Sequence, residues 1–394
     1  MKVCLLTPEL GPAWGGIGTY AYNLARGLRD RAEVHVLTGT PEKAGVDDAL
    51  DGVQVHRAFP DGNAGLNGSP FRFQAAVFRR LPRLARLHGF DVVHANHAYM
   101  SDLLVRLRRR RGATVVTVHT TLDTQVGGTL LAGRNSPRQS FEARLARWRF
   151  LLQPVERHYL RGSPAMIFVS RWVQDRTMRF YGVSPPLNAI VPNAIDTGRL
   201  SPATPEGSNG TEPGEPPTLL FAGRLLALKG IDTLIHAMAR VTPRVRLLLA
   251  GPGEQGPWKA LANDLGVGDR CTFVGRVPYA EMPGLYRAVD AVILPSFAES
   301  CPLVALEAMA CGTPLVAADA GGVSEIVRDG ETGWVFPPGD VDALASRIET
   351  VLSDPERARQ VSRRARAWIE ANATIDQMAA RTFRVYERLL GAAA

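Results

Sequence analysis

Short runs of aliphatic and β-branched residues recur through this chain, separated by stretches with helical periodicity, and that alternation admits few folds. In the first half the runs fall at residues 3–7, 34–38, 91–95, 114–118 and 165–169. A second series follows at 218–222, 246–250, 271–274, 291–294 and 314–318. Nearly continuous apolar runs of this length are the mark of strands buried on both faces, and helical connections between them give parallel, doubly wound sheets. At 394 residues the chain exceeds one ordinary domain. The expectation is an α/β protein of two Rossmann-like domains, with the joint at 185/186. The segment from Ser201 to Pro217, rich in Pro, Gly, Ser and Glu, reads as a surface excursion. The last stretch, 373–390, carries Met378, Phe383, Val385, Tyr386 and Leu389 at helical spacing and is expected to pack as a terminal helix.

The densest chemistry lies in the run Glu-Ser-Cys-Pro-Leu-Val-Ala-Leu-Glu, from Glu299 to Glu307. Strand 291–294 precedes it, and Pro302 suits the first turn of a helix reaching Met309. Helical side chains lean toward the N-terminus, so Glu307 points back toward the loop that carries Glu299. In an open parallel sheet, ligands bind outside the carboxyl ends of the strands. Two exposed glutamates are the ordinary alternative. Against it, Ala305, Leu306, Ala308, Met309 and Ala310 surround Glu307 with apolar residues, and a carboxylate there needs a partner.

Other strand ends converge on the same rim. Gly223, Arg224 and Lys229 follow strand 218–222, placing cations where a diphosphate would sit. Gly251-Pro-Gly253 and Gly321-Gly-Val-Ser-Glu325 follow two further strands. Each alone is more often a turn; the recurrence after successive strands argues for a site. In the first half, Gly15-Gly-Ile-Gly18 precedes a helix over 19–28, whose N-terminus suits an anion, although the pattern is not G-x-G-x-x-G. His119 ends strand 114–118. His94, His97 and the other histidines show no spacing with carboxylates that argues for zinc.

Charge divides unevenly. Residues 1–190 hold 26 Lys and Arg against 14 Asp and Glu, whereas the whole chain holds 46 against 38. The first half is therefore +12 and the remainder −4. Arg79, Arg80, Arg83 and Arg86, the run Arg108 to Arg111, and the stretch from Arg134 to Arg149 carry the surplus. It points to an anionic partner or to an Arg-rich composition, and the chain has only four lysines. The four cysteines have neither metal-ligand spacing nor disulfide density. No apolar run approaches membrane-spanning length, and residues 3–7 read as a strand rather than a signal peptide, so a cytoplasmic protein is expected.

Taken in order, GGIG, VHT, VPNAID, FAGRLLALKG, ESCPLVALE and GGVSE make the chain resemble the group 1 glycosyltransferases, retaining enzymes of glycogen-synthase type, over nearly its whole length. The resemblance implies the GT-B architecture, two Rossmann-like domains facing a central cleft. Residues 1–185 would form the acceptor side, with 374–394 packing back on it, and 186–373 the nucleotide-sugar side. It also implies transfer of a hexose, with retention, from a nucleotide sugar to a hydroxyl acceptor, a UDP-sugar being favoured over GDP-mannose. Arg224 and Lys229 would hold the diphosphate, Glu299 the sugar hydroxyls and Glu307 the ribose. Gly16, Gly223, Pro302, Leu303 and Val304 would line the donor, Arg276 and Val277 would lie at the base, and His119 near the transferred sugar. No metal and no cofactor are expected at this site. The partners implied are the donor and a hydroxyl acceptor, with an anionic acceptor or anionic membrane surface as the reading of the basic half; nucleic acid is not among them. Ser300 stands where many relatives have glycine. An epimerase or phosphorylase on the same fold, or a nucleotide-sugar-binding protein without turnover, are the competing functions.

Overall fold

The computed structural model describes residues 1–11, 15–39, 50–58, 70–96, 100–106, 113–131, 140–203, 210–211, 214–242 and 244–392. The chain divides into two compact units: residues 1–122, 150–194 and 375–394 form the first, and 123–149 and 195–374 the second.

The elements run β1 (Lys2–Thr7), α1 (Gly16–Leu28), β2 (Glu33–Thr38), β3 (Val53–Arg57), α2 (Pro70–His88), β4 (Val92–Asn96), α3 (Leu103–Arg106), β5 (Ala113–Val118), α4 (Leu122–Leu131), α5 (Ser140–Arg161), β6 (Ala165–Phe168), α6 (Arg171–Tyr181) and β7 (Leu187–Ile190). The strands form one parallel sheet in the order β3-β2-β1-β4-β5-β6-β7. Alternation along the strands sorts two cores. Val3, Leu5, Val34 and Val36 face α1 and the terminal helix α13 (Ile375–Gly391), which contributes Met378, Ala379, Val385 and Tyr386. Cys4, Leu6, Leu37 and Ala95 face α2 through Phe73, Val77 and Leu81. Burying each such large side chain contributes about 1.5–3 kcal/mol. The arginines of α2, Arg79, Arg80, Arg83 and Arg86, stay exposed, as does Leu87. Side chains from Arg134 to Arg149, and the run Arg108 to Arg111, lie outside what is described.

The joint expected at 185/186 falls at 194/195 instead. Leu187 to Ile190, expected to fall in the second domain, pair along β6 and complete the first sheet.

The second unit contains β8 (Thr218–Ala222), α7 (Ile231–Met238), β9 (Arg246–Ala250), α8 (Gly256–Asp264), β10 (Cys271–Gly275), α9 (Met282–Arg287), β11 (Ala291–Leu294), α10 (Leu303–Ala310), β12 (Leu315–Ala318), β13 (Trp334–Phe336), α11 (Val341–Ser353) and α12 (Pro355–Asn372). Its six parallel strands are ordered β10-β9-β8-β11-β12-β13. Leu219, Phe221, Leu247, Leu249, Ile293 and Val316 form one core with Leu234, Trp258, Leu344 and Ile348 of the covering helices. The described part of the excursion after Ser201 is anchored: Thr211 and the Thr218 amide donate to Asp290, and Gly210 N donates to Arg287 O. None of the four cysteines is in a disulfide. Among the described residues no helix is long and apolar enough to cross a membrane.

Candidate active site

The strand order of the second unit reverses between β8 and β11, the switch point at which open sheets leave a crevice for ligands. The loop after β8 carries Arg224 and Lys229, and the loop after β11 carries Glu299. Across that gap Lys229 Nζ donates to Glu299 Oε1 at 2.6 Å, and Ser296 Oγ donates to the same oxygen at 2.7 Å. The Glu299 side chain is 11% exposed and that of Lys229 23%, so the pair is partly desolvated. Arg224 is exposed on the same loop.

Main-chain hydrogen bonds lace the strand ends together. Gly251 N donates to Gly275 O, Gly223 N to Ala250 O, and Leu225 N to Pro252 O. Phe297 N donates to Leu228 O, Gly322 N to Glu299 O, and Asp319 N to Phe336 O. Every neighbouring pair of strands in the sheet is thereby joined at its carboxyl end. Two glycines are required by the closeness of this lacing. A Cβ on Gly251 (φ +150°) would lie 1.7 Å from Gly223 O, and one on Gly321 (φ +66°) would lie 2.0 Å from Glu299 O.

Helix α10 is apolar nearly all round, with Ala305, Leu306, Ala308, Met309 and Ala310 buried, and it packs between β11, β12, α9 and α12. Pro302 is its N-cap, and no side chain caps its first turn. At the other end Arg366 donates to Ala310 O, placing a cation at the negative end of the helix dipole. Glu307 is carried into this apolar setting at 7% exposure, where Tyr286 OH donates to Oε2 at 2.7 Å. Burial pushes the Glu307 carboxyl up to about 7, against the lowering effect of the Tyr286 hydrogen bond. Burial, then the Glu307 charge, raises the Tyr286 hydroxyl well above its ordinary value.

The structure therefore brings Lys229 and Glu299 into contact and sets Glu307 on the adjoining helix, one and a half turns past Pro302, with Leu303 and Val304 half-buried in its first turn. Arg276 and Val277 follow β10, two strands from the switch point, with Arg276 exposed. Gly223 leads out of β8.

Gly16 and His119 belong to the first unit. Its sheet reverses between β1 and β4, and the loop from β1 enters α1. That helix starts at Gly16 rather than at residue 19: Thr19 N already donates to Gly15 O, so the glycines form its first turn instead of a loop before it. His119 is buried at 8% exposure directly after β5, its ring edge-on to Tyr20 at 4.4 Å between centroids. Tyr20 in turn is joined to Thr117 (2.9 Å), Thr117 to His94 Nε2 (2.7 Å), and His94 Nδ1 to Tyr386 OH (2.6 Å). Burial drives His94 down to about 3, so it is neutral and serves as a fixed link from α13 to the His119 setting. Ser296, Tyr286 and Tyr20 carry no pattern in sequence, and Thr117 and Tyr386 show only the periodicity of the strand and helix that hold them. Only Ser296, three residues before Glu299, stands close enough to a motif to have been found.

The model of glycosyl transferases group 1 matches residues 207–368, and that of Glycosyltransferase Family 4 matches residues 14–199. The chain is 30% identical to a D-inositol 3-phosphate glycosyltransferase of Xylanimonas cellulosilytica, across 93% of this chain and 92% of that protein. It is also 30% identical to a glycogen synthase of Mycobacterium tuberculosis, across 98% of this chain and 94% of that one. Among solved structures, a sucrose-phosphate synthase from Thermosynechococcus elongatus superposes with a TM-score of 0.82 at 24% identity, covering all of both chains, which is a likeness of fold.

Proposed function

Because this chain belongs to the group 1 glycosyltransferase family, we propose that it moves a hexose from a nucleotide-sugar donor to a hydroxyl acceptor, with retention at the anomeric carbon and without a metal at the donor. A UDP-sugar is the favoured donor, ahead of GDP-mannose. The observation that carries this reading is the Lys229–Glu299 pair at the switch point of the second sheet, with Glu307 on the helix that follows.

In this reading Arg224 and Lys229 hold the diphosphate and, with the uncapped first turn of α10 at Leu303 and Val304, neutralise the charge that develops as the bond to the anomeric carbon breaks. A diphosphate that engages Lys229 leaves Glu299 held by Ser296 and able to accept from the sugar hydroxyls. Glu307 accepts from the ribose hydroxyls, and Gly223, Arg276 and Val277 border the remainder of the nucleotide. The leaving phosphate oxygen takes the proton of the acceptor hydroxyl on the face from which it departs. Neither glutamate acts as a glycosidase nucleophile: Glu299 is already committed to Lys229 and Ser296, and Glu307 to Tyr286.

The +12 charge of the first 190 residues favours an anionic acceptor, in keeping with the relative named for inositol 3-phosphate. The test is incubation with a panel of nucleotide sugars, read first as thermal stabilisation. A ligand at 100 times its Kd adds about 2.7 kcal/mol. Acceptor-dependent release of nucleoside diphosphate is read second. A protein stabilised by a donor but releasing no diphosphate with any acceptor would be a binding protein rather than a transferase.

A further inference from the structure

Three histidines far apart in sequence meet in the first unit: His35 on β2, His56 on the edge strand β3, and His88 at the last residue of α2. The sequence spacing gave no sign of this, because parallel register makes the contact. His35 pairs with Gln54 and Leu37 with His56, so both imidazoles leave the face of the sheet that α2 covers. One ring nitrogen from each histidine lies within 4.8 Å of the other two. His35 Nδ1 is 3.0 Å from His56 Nε2, and His35 Nε2 is 3.0 Å from Glu33 Oε1.

We propose that His35, His56 and His88 form a binding site for a divalent metal of the Zn²⁺ class, with water as a fourth ligand. Tetrahedral Zn–N bonds of about 2.0–2.1 Å place ligand nitrogens roughly 3.3 Å apart. The His35–His56 separation is close to that already, and the rings of His56 and His88 are half-buried beside it. Glu33 fixes the tautomer. Its Oε1, 3.0 Å from His35 Nε2, accepts the proton on that nitrogen. That leaves the Nδ1 lone pair for a metal, the carboxylate–histidine arrangement that orients metal ligands. Arg80 opposes a cation but is drawn toward the Arg57 carbonyl. Phe90 closes one side by packing on His35 and His88.

The place in the fold defines the role. His35 lies in the first half of β2, His88 leads through a short turn into the start of β4, and His56 is the penultimate residue of the edge strand β3, so the cluster sits at the β3–β2 edge of the sheet rather than at its switch point between β1 and β4. A metal there would clip β3, which pairs only with β2 among the described strands, to the end of α2.

The test uses the full chain without a histidine tag, stripped with chelator and dialysed against Zn²⁺ alone or Mg²⁺ alone. The expected result is one Zn²⁺ per chain, a raised melting temperature with Zn²⁺ and none with Mg²⁺, and visible absorption of a nitrogen-liganded tetrahedral centre on loading with Co²⁺. His56→Asn and His88→Gln should each weaken Zn²⁺ binding by at least about tenfold, an effect as large as that of losing an outer partner of a metal ligand. Wild-type protein that retains no Zn²⁺ and gives no Co²⁺ spectrum overturns the proposal, as do variants that bind Zn²⁺ as tightly as wild type.

Discussion

Lys229 and Glu299, seventy residues apart, share a 2.6 Å hydrogen bond that closes the switch point of the second sheet. Each side chain is mostly withdrawn from water, so each depends on the other for its charge to be tolerated. Ser296 gives Glu299 a second donor, while the Lys229 ammonium is engaged by Glu299.

Replacing Lys229 by Ala should therefore lower kcat/KM by roughly 2–4 kcal/mol of transition-state stabilisation, the usual loss for one preorganised donor to developing charge. Glu299→Gln keeps the shape and the Ser296 contact and should impair turnover more than affinity for free nucleoside diphosphate. Steady-state kinetics beside diphosphate titration separate the two; a Lys229→Ala variant with unchanged kcat/KM refutes the leaving-group role.

Glu307 makes the protein sensitive to pH. Its carboxyl titrates at about 7 in the fold and at about 4.3 in an unfolded chain. The folded state thus holds the proton more tightly, and the stability this provides is complete below about 4.3 and lost as pH rises through about 7. The loss amounts to ~4 kcal/mol. Urea denaturation across this window should show Glu307→Gln gaining on wild type as pH rises; parallel curves would disprove the raised carboxyl.

In the proposed reading the same group also governs nucleotide binding, because ribose hydroxyls would donate to the ionised form. Nucleoside diphosphate affinity should fall as pH drops below about 7 in wild type by more than it falls in Glu307→Gln. Calorimetric titration of both proteins at several pH values checks this, with the variant correcting for protonation of the phosphate itself.

Gly321→Ala should be more damaging than its position in a loop suggests. The new Cβ would meet Glu299 O at 2.0 Å with φ at +66°, and a left-handed non-glycine residue alone costs about 1–3 kcal/mol. The backbone that presents Glu299 must move. Loss of sugar-dependent turnover alongside a lowered melting temperature is expected; full activity would show that the loop yields without consequence.

The exposed Arg79, Arg83, Arg86 and Leu87 of α2 are the place to test an anionic surface as partner. Each basic residue near an anionic leaflet contributes about 1 kcal/mol, screened by salt. Sedimentation with anionic vesicles at low salt, but not with neutral vesicles or at high salt, is expected. Equal recovery on both lipids leaves a soluble anionic acceptor as the explanation of the charge.

The architecture was legible wherever strands were apolar on both faces. Val53-Gln-Val-His-Arg57 and Trp334-Val-Phe336 escaped notice because one is a half-buried edge strand with polar residues and the other is three residues long. Two strands separate the sheet's switch point from Arg276, and no spacing reveals such an order; pairing does. The carboxylates of Glu299 and Glu307 stood out from their spacing and apolar flanks, while their partners Lys229, Ser296 and Tyr286 were joined to them only by tertiary packing. The start of α1 is not legible because Gly15, Gly16 and Gly18 resemble a turn, although a first turn with two glycines is compatible with a helix that buries Tyr20, Leu24 and Leu28 behind it.

The lacing of the strand ends in the second unit is made entirely of main-chain amides and carbonyls. A frame of that kind is indifferent to which side chains it displays. Ser300, Arg276 and Val277 can therefore be exchanged during divergence with little effect on the posture of Lys229 and Glu299. In the proposed scheme a new donor preference would need only single substitutions there, whereas a side chain at Gly251 or Gly321 would collide with the main chain of the frame itself.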